Sequence, residues 1–154
     1  MPKTAKQKTS DICSRFIRLR DALDYCKRIG IDLSQFVRPE DIIGQCCTCT
    51  RVKSWIRMDA GHWINRGSGG SSGVYFDERN INLQCKPCNG NFYQGGTQRD
   101  VKAAYDQFML EKYGQEVMDE LRVRDKLLTR KYSVIILGLH QLYTEQYQRL
   151  LDSI

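Results

Sequence analysis

Apolar residues recur at helical spacing towards both ends of the chain and lose that rhythm in the middle. Ile12, Phe16, Leu19, Leu23 and Cys26 follow one another at intervals of three and four, which puts them on one face of a helix. Ser10 suits the start of that helix and Gly30 its end. Arg15, Arg18 and Arg20 fall off the stripe and are expected to be solvated or to face a partner. Helical spacing returns after Thr97, which with Asp100 resembles a capping box. Val101, Tyr105 and Phe108 then share a face up to Gly114. A second helix is expected over GQEVMDELRVRDKL. A third starts near Ser133 and aligns Ile136, Leu139, Tyr143, Tyr147, Leu150 and Ile154. That last stripe reads most simply as core, and alternatively as a helix-pair or dimer contact. His140, on the same helix, reads as structural.

Between the helical parts the pattern changes in kind. Residues 45–95 hold short β-leaning pieces (SWIRMDA, VYFDE), glycine-rich loops and paired cysteines. The chain therefore divides into a basic flexible arm (1–9), an N-terminal helical segment (10–44), a compact core (45–95) and a C-terminal helical extension (96–154). The expected fold class is α+β, a small core flanked by helices.

Charge sharpens this division. Net charge is +6 over 154 residues. Residues 1–57 carry twelve Lys and Arg against six Asp and Glu, and the rest of the chain balances. An excess confined to one part suits a surface lying along a polyanion such as DNA. It also suits a solubilising tail. No apolar run reaches membrane-spanning length and the N-terminus lacks the apolar stretch of a secretory signal, so a cytoplasmic protein with no membrane partner is expected. In that compartment seven cysteines, an odd number, argue against a disulfide framework.

Their spacing argues for metal. Cys46-Cys47-Thr48-Cys49 and Cys85-Lys86-Pro87-Cys88 are two C-x-x-C turns, each presenting two thiolates at the separation that a tetrahedral zinc ion requires. Cys46, Cys49, Cys85 and Cys88 are the expected structural zinc ligands. Cys47 is surplus, and Cys13 and Cys26 are expected to be packed thiols. The two turns enclose Asp59, His62, a Gly/Ser loop and the segment DERNINLQC, with Asn89 directly after the last cysteine. A strand, a loop, a second strand and a helix opening at the second turn would bring His62, Asn80 and Asn89 around one cleft. These are the ingredients of one-metal phosphodiester hydrolysis. A histidine acts as general base on water, a carboxylate and an amide oxygen hold a hard divalent cation, and another Asn orients the histidine.

The order C-x-x-C, D-A-G-H, N-I-x-x-Q-C-x-x-C-N resembles the HNH (ββα-metal) nucleases with a structural zinc. More closely it resembles the lambdoid phage NinG (Rap) recombination proteins, which act on branched intermediates. The likeness is densest in residues 46–92 and weaker through EKYGQEVMDEL and the last helix. A related likeness is to endonuclease VII-type junction resolvases. The resemblance implies an HNH-like core with His62 as general base and Asn80 as the residue positioning it. It further implies Asn89 as a metal ligand together with Asp59, and Mg²⁺ or Mn²⁺ as the catalytic ion. The implied activity is a DNA endonuclease cutting Holliday junctions or D-loops, in the host bacterial cytoplasm if phage-encoded. Two rivals stand beside it: a non-selective HNH nicking enzyme, and a zinc-containing protein that grips branched DNA without cutting.

Asp59 poses a geometric difficulty. Residues three apart in a regular strand point to opposite faces, so Asp59 and His62 are expected to converge only through a bulge at Ala60-Gly61. Asp77 and Glu78 are the fallback acids. The Gly/Ser loop lacks the G-K-[ST] ending of a nucleotide-binding loop and reads as slack between strands, with DNA contact through Arg66 as the sharper reading. The expected DNA contacts are Lys3, Lys6, Lys8, Arg15, Arg18, Arg51, Lys53, Arg57 and Arg66. Two cuts on a symmetric junction need two active sites, hence an expected homodimer.

Overall fold

The computed structural model describes residues 1–65, 72–90, 98–127 and 132–154. Arg66, most of the Gly/Ser loop and the Thr97 cap lie outside the described residues. Helix α1 (Ala5–Ile29) is followed by strands β1 (Ile43–Gln45), β2 (Val52–Ser54), β3 (Met58–His62) and β4 (Ile81–Cys85). The single turn α2 (Lys86–Asn89) comes next, then α3 (Gln98–Tyr113), α4 (Gln115–Leu127) and α5 (Tyr132–Asp152). The class is α+β, built on two antiparallel two-stranded sheets, β1–β2 and β3–β4. No helix among the described residues is long and apolar enough to cross a membrane.

Helix α1 begins earlier than Ser10. Thr4 caps it by accepting from the Gln7 backbone while the Gln7 side chain returns to the Thr4 N–H, so most of the expected arm is helical. The helix ends where Gly30 turns left-handed at φ 74°, donating back to the Cys26 and Lys27 carbonyls. The buried face is broader than one stripe: Cys13, Phe16, Ile17, Leu19, Ala22 and Cys26 are all enclosed. The breadth has a simple cause. One flank of α1 packs on α5, and the other covers β1, β3 and β4.

That position also corrects two arginines. Arg18 is half-buried and donates to the Ser14, Ile56 and Met58 carbonyls. Arg20 donates to the Glu78 and Ile81 carbonyls and pairs with Asp21. Both fasten α1 to the core rather than face solvent or DNA.

The stripe on α5 is core. Ile136 and Tyr143 are buried, and Leu139, Tyr147 and Leu150 pack beside them against α1 residues, so these five are used within the chain, whereas Ile154 lies beyond the helix and is exposed. Cys13 and Cys26 are buried thiols as expected, and burial pushes the Cys13 thiol up to about 12. The VYFDE segment is not a strand. Residues 73–76 form a turn, with Tyr75 N–H donating to the Ser72 carbonyl and Asp77 N–H to that of Val74. The aromatic rings there serve packing: Tyr75 and Phe76 belong to the same apolar cluster as Phe16, Ile17 and Tyr143.

Helix α5 holds this turn by one specific bond. The Tyr143 hydroxyl donates to the Phe76 carbonyl at 2.5 Å, in a site where both are buried. Tyr143→Phe keeps the ring and strands that carbonyl. It is expected to cost about 1–3 kcal/mol, read as a lowered urea midpoint with an unchanged denaturant slope.

Candidate functional site

The first C-x-x-C turn caps the β1–β2 hairpin. Cys46 N–H donates to the Arg51 carbonyl and Thr50 N–H to the Cys46 carbonyl, which closes the turn with Thr50 at φ 62°. The second turn lies where β4 runs into α2: Cys85 ends the strand and caps the helix, and Cys88 follows within it. The four sulfurs of Cys46, Cys49, Cys85 and Cys88 lie within 4.8 Å of one another. Cys49 and Cys85 sulfurs stand 3.6 Å apart. A tetrahedral zinc thiolate with bonds of about 2.3 Å has sulfurs about 3.8 Å apart, so the group fits such an ion.

The electrostatics point the same way. Burial raises the Cys46 thiol, but hydrogen bonds from the Cys49 backbone and the Thr48 hydroxyl outweigh it and bring the group down to about 7. Cys85 and Cys88 are held up by burial and by the neighbouring Cys46 charge. Four sulfurs this close cannot all ionise without a cation among them. The cluster is therefore a site for a structural metal such as zinc. Cys47, the surplus member, instead donates its backbone N–H to the Leu83 carbonyl, tying the turn to β4.

The second group of interest surrounds a cavity of about 320 Å³. His62, Asp59 and Asn89 line it, with Ser10, Asp11 and Ser14 of α1 forming the facing wall. The expected bulge is absent. The β3–β4 register runs unbroken from Met58↔Cys85 to His62↔Ile81. Asp59 and Gly61 share the face that meets Asn89, whereas Ala60 and His62 share the face towards α1 and the Tyr75–Phe76 turn. Residues of both faces nevertheless line the same cavity, together with Ile81 of the paired strand. Gly61 matters for space, not for bending. A Cβ there would overlap the Gln84 side-chain oxygen and stand 3.1 Å from Asn89 Oδ1.

His62 Nε2 lies 2.9 Å from the Tyr75 carbonyl. A carbonyl only accepts, so Nε2 carries the proton, and in the neutral ring the lone pair is on Nδ1. Asn80 stands behind this arrangement. It is fully buried, accepts from the Ile64 N–H and donates to the Ile64 and Val74 carbonyls. It touches the backbone two residues after His62 and one residue before Tyr75, and so ties together the chain on either side of the Gly/Ser loop. Three further contacts steady the same segment. Tyr105 on α3 donates to the Gly61 carbonyl at 2.8 Å, the Ser10 and Tyr75 hydroxyls share a bond of 3.0 Å, and Tyr143 holds Phe76.

Asp59 receives Lys86 Nζ at 2.8 Å on one oxygen and Asn89 Nδ2 at 3.1 Å on the other. Asp59 and Asn89 are thus adjacent and could supply two oxygen ligands to a hard cation, the remainder coming from water and phosphate. The fallback acids serve elsewhere. Asp77 is locked to Arg79 and Arg124, whose positive charges hold its carboxyl below the usual range despite burial, and neither it nor Glu78 lines the cavity. Sequence spacing gave no signal for Lys86, Tyr75, Ser10 or Asp11, which the tertiary fold alone brings to this site. A larger cavity of about 640 Å³ lies between α1, the first cysteine turn and α3, with Asp21, Asp24 and Glu111 facing Arg28 and Lys112 in its lining, and it holds none of the expected site residues His62, Asp59 or Asn89.

Comparison with known proteins places this geometry. The family described as Bacteriophage Lambda NinG protein matches residues 2–150. The chain belongs to the NinG family. Protein ninG of Escherichia phage 933W is 29% identical over 107 residues, covering 70% of this chain and 49% of that protein. Protein ninG of Enterobacteria phage VT2-Sa aligns with the same values. The chain spans about half the length of these curated relatives. No solved structure matches it. The NinG match takes in both the sulfur cluster and the His62 cavity.

Cys85→Ser should reduce bound zinc from one ion per chain to a small fraction, measured by metal analysis of purified protein. It should also lower the melting temperature by more than any single surface substitution. An equally zinc-rich, equally stable variant would count against the cluster.

Proposed function

We propose that this chain is a metal-dependent endonuclease that hydrolyses DNA phosphodiesters at branched recombination intermediates such as Holliday junctions and D-loops. The observation that carries the reading is the convergence of His62, Asp59 and Asn89 on one cavity, with the imidazole held by the Tyr75 carbonyl. Support for branched DNA in particular comes from the motif resemblance to recombination proteins.

In this reading His62 Nδ1 takes the proton from a water molecule as its oxygen attacks phosphorus. The P–O3′ bond breaks on the opposite side, and the departing O3′ oxygen takes a proton from water. Asp59 and the Asn89 amide oxygen would hold the divalent ion, Mg²⁺ or Mn²⁺, which when bound would supply charge neutralisation at the scissile phosphate. Asn80 keeps the loop, and with it the ring, in register. The Tyr75 carbonyl accepts from Nε2–H before and after Nδ1 takes the proton, so the ring keeps its orientation through the step.

Lys8 and Arg15 are exposed on α1, and Arg51, Lys53 and Arg57 are exposed along the β1–β2 side. These five are the proposed contacts to DNA phosphates. Lys3 pairs with Asp11 and Lys6 lies over the Tyr75 ring, so both sit at the cavity wall, while Arg18 is committed to the fold. Affinity built on such contacts falls steeply with salt. A homodimer would supply the two active sites that two cuts require. Sedimentation with and without a four-way junction checks this, and monomer throughout would exclude it.

His62→Ala should reduce junction cleavage by at least about 100-fold while leaving junction affinity within about twofold, measured with labelled junction, D-loop and linear duplex in Mg²⁺ and in Mn²⁺. Intact junctions with wild-type protein in both metals would leave a DNA-binding protein without nuclease activity. Equal cutting of linear duplex would leave a non-selective nicking enzyme.

A further inference from the structure

The Asp59 carboxylate is already neutralised. Lys86 Nζ and Asn89 Nδ2 donate to its two oxygens, at 2.8 Å and 3.1 Å. Neither donor can ligate a cation. An ammonium has no lone pair, and an amide nitrogen that donates has turned its oxygen away. Asn89 Oδ1 faces Gly61 instead. Oxygen coordination of a hard cation by Asp59 and Asn89 together therefore requires two changes: Lys86 must leave, and the Asn89 amide must rotate.

The placement of Lys86 makes it suited to that exchange. It opens α2 immediately after Cys85, so its backbone is fixed by the sulfur cluster, and it shares a helical face with Asn89 three residues on. Its side chain is 67% exposed, whereas that of Asp59 is 29% exposed. A long stem on a fixed base regains rotamer freedom when it swings into solvent, while the carboxylate stays put.

We infer that Lys86 occupies the cation position of the Asp59–Asn89 site and competes with the divalent ion for it, thereby setting the metal concentration at which the site loads. This rests on Asp59 and Asn89 being the metal ligands proposed above. Lys86 is then a built-in competitor with one positive charge, displaced by an ion with two. The expected strength of the competition follows from the exposure of the pair. A half-solvated ion pair is worth roughly 0.2–1 kcal/mol, a factor of about 1.4 to 5. Removing a like charge from beside the entering ion adds to that, so a total of roughly three- to tenfold is expected.

The test is Mn²⁺ binding by zinc-loaded full-length protein, followed by loss of the free-ion electron paramagnetic resonance signal. Lys86→Met should bind Mn²⁺ roughly three- to tenfold more tightly than wild type. Lys86→Gln provides a second neutral variant should Met perturb folding, with zinc content and far-ultraviolet circular dichroism as the checks. Lys86→Arg, which keeps the charge, should stay within about twofold of wild type. Neutral variants with wild-type zinc content and unchanged or weaker Mn²⁺ affinity would overturn the competition, as would an Arg variant that tightens binding as Met does. Asp59→Asn separates the two levels of the argument. If it binds Mn²⁺ as well as wild type, or if no variant binds Mn²⁺ at all, the metal-site reading itself fails. If Asp59→Asn loses binding and only the Lys86 variants disappoint, the ligands stand and the competitor does not.

Discussion

Four sulfurs gathered within 4.8 Å of one another join two sheets that are each too small to stand alone. The β1–β2 pairing covers three residue pairs and the β3–β4 pairing five. Isolated two-stranded hairpins are marginal in water. Cys46 and Cys49 sit at the turn of the first sheet, and Cys85 and Cys88 at the end of the second, so a metal there is a cross-link between them. Its neighbours show the same logic. Met58, Leu83 and Val101 wrap the sulfurs in one apolar cluster, and the Cys47 N–H bonds across to Leu83. Asp59 on β3 and Asn89 on α2 lie next to this junction, because β3 pairs with the strand that ends at Cys85 and α2 begins there.

The helices complete what the cross-link begins. β4 is buried along its whole length, although it alternates apolar residues with Asn82 and Gln84. The polar face is satisfied within the protein. Asn82 donates to the Tyr105 hydroxyl and accepts from Lys112 and Tyr113, all on α3. Asp21 of α1 accepts the Leu83 N–H from the other side. A buried network of this kind is costly if half-made and rigid when complete. It reaches Gly61 of β3 through the Tyr105 hydroxyl, which donates to the Gly61 carbonyl.

What could be read in the sequence was what depends on local spacing. The two C-x-x-C turns, the α1 and α5 stripes and the Gly30 stop each follow from residues a few positions apart. The Thr4–Gln7 capping box was equally local, but Ser10 offered a competing start nearer the first apolar residue. What could not be read depends on distant segments. Arg18 and Arg20 look solvated on a helical wheel, and only the β3 and β4 carbonyls beside them reveal their use. The aromatic run at Tyr75–Phe76 has β character by composition, yet its rings are claimed by α1 and α5 and its backbone turns. The Asp59–His62 problem was posed correctly by alternation. Its solution, one cavity that residues of both faces line, depends on α1 and the Tyr75–Phe76 turn, which are distant in sequence.

The Tyr75–Phe76 turn is gripped by the first helix through Ser10 and by the last through Tyr143. These contacts come from segments at opposite ends of this chain. A change in either helix therefore reaches the imidazole without touching it: losing the Ser10 or the Tyr143 contact frees one side of the peptide whose carbonyl seats the His62 ring.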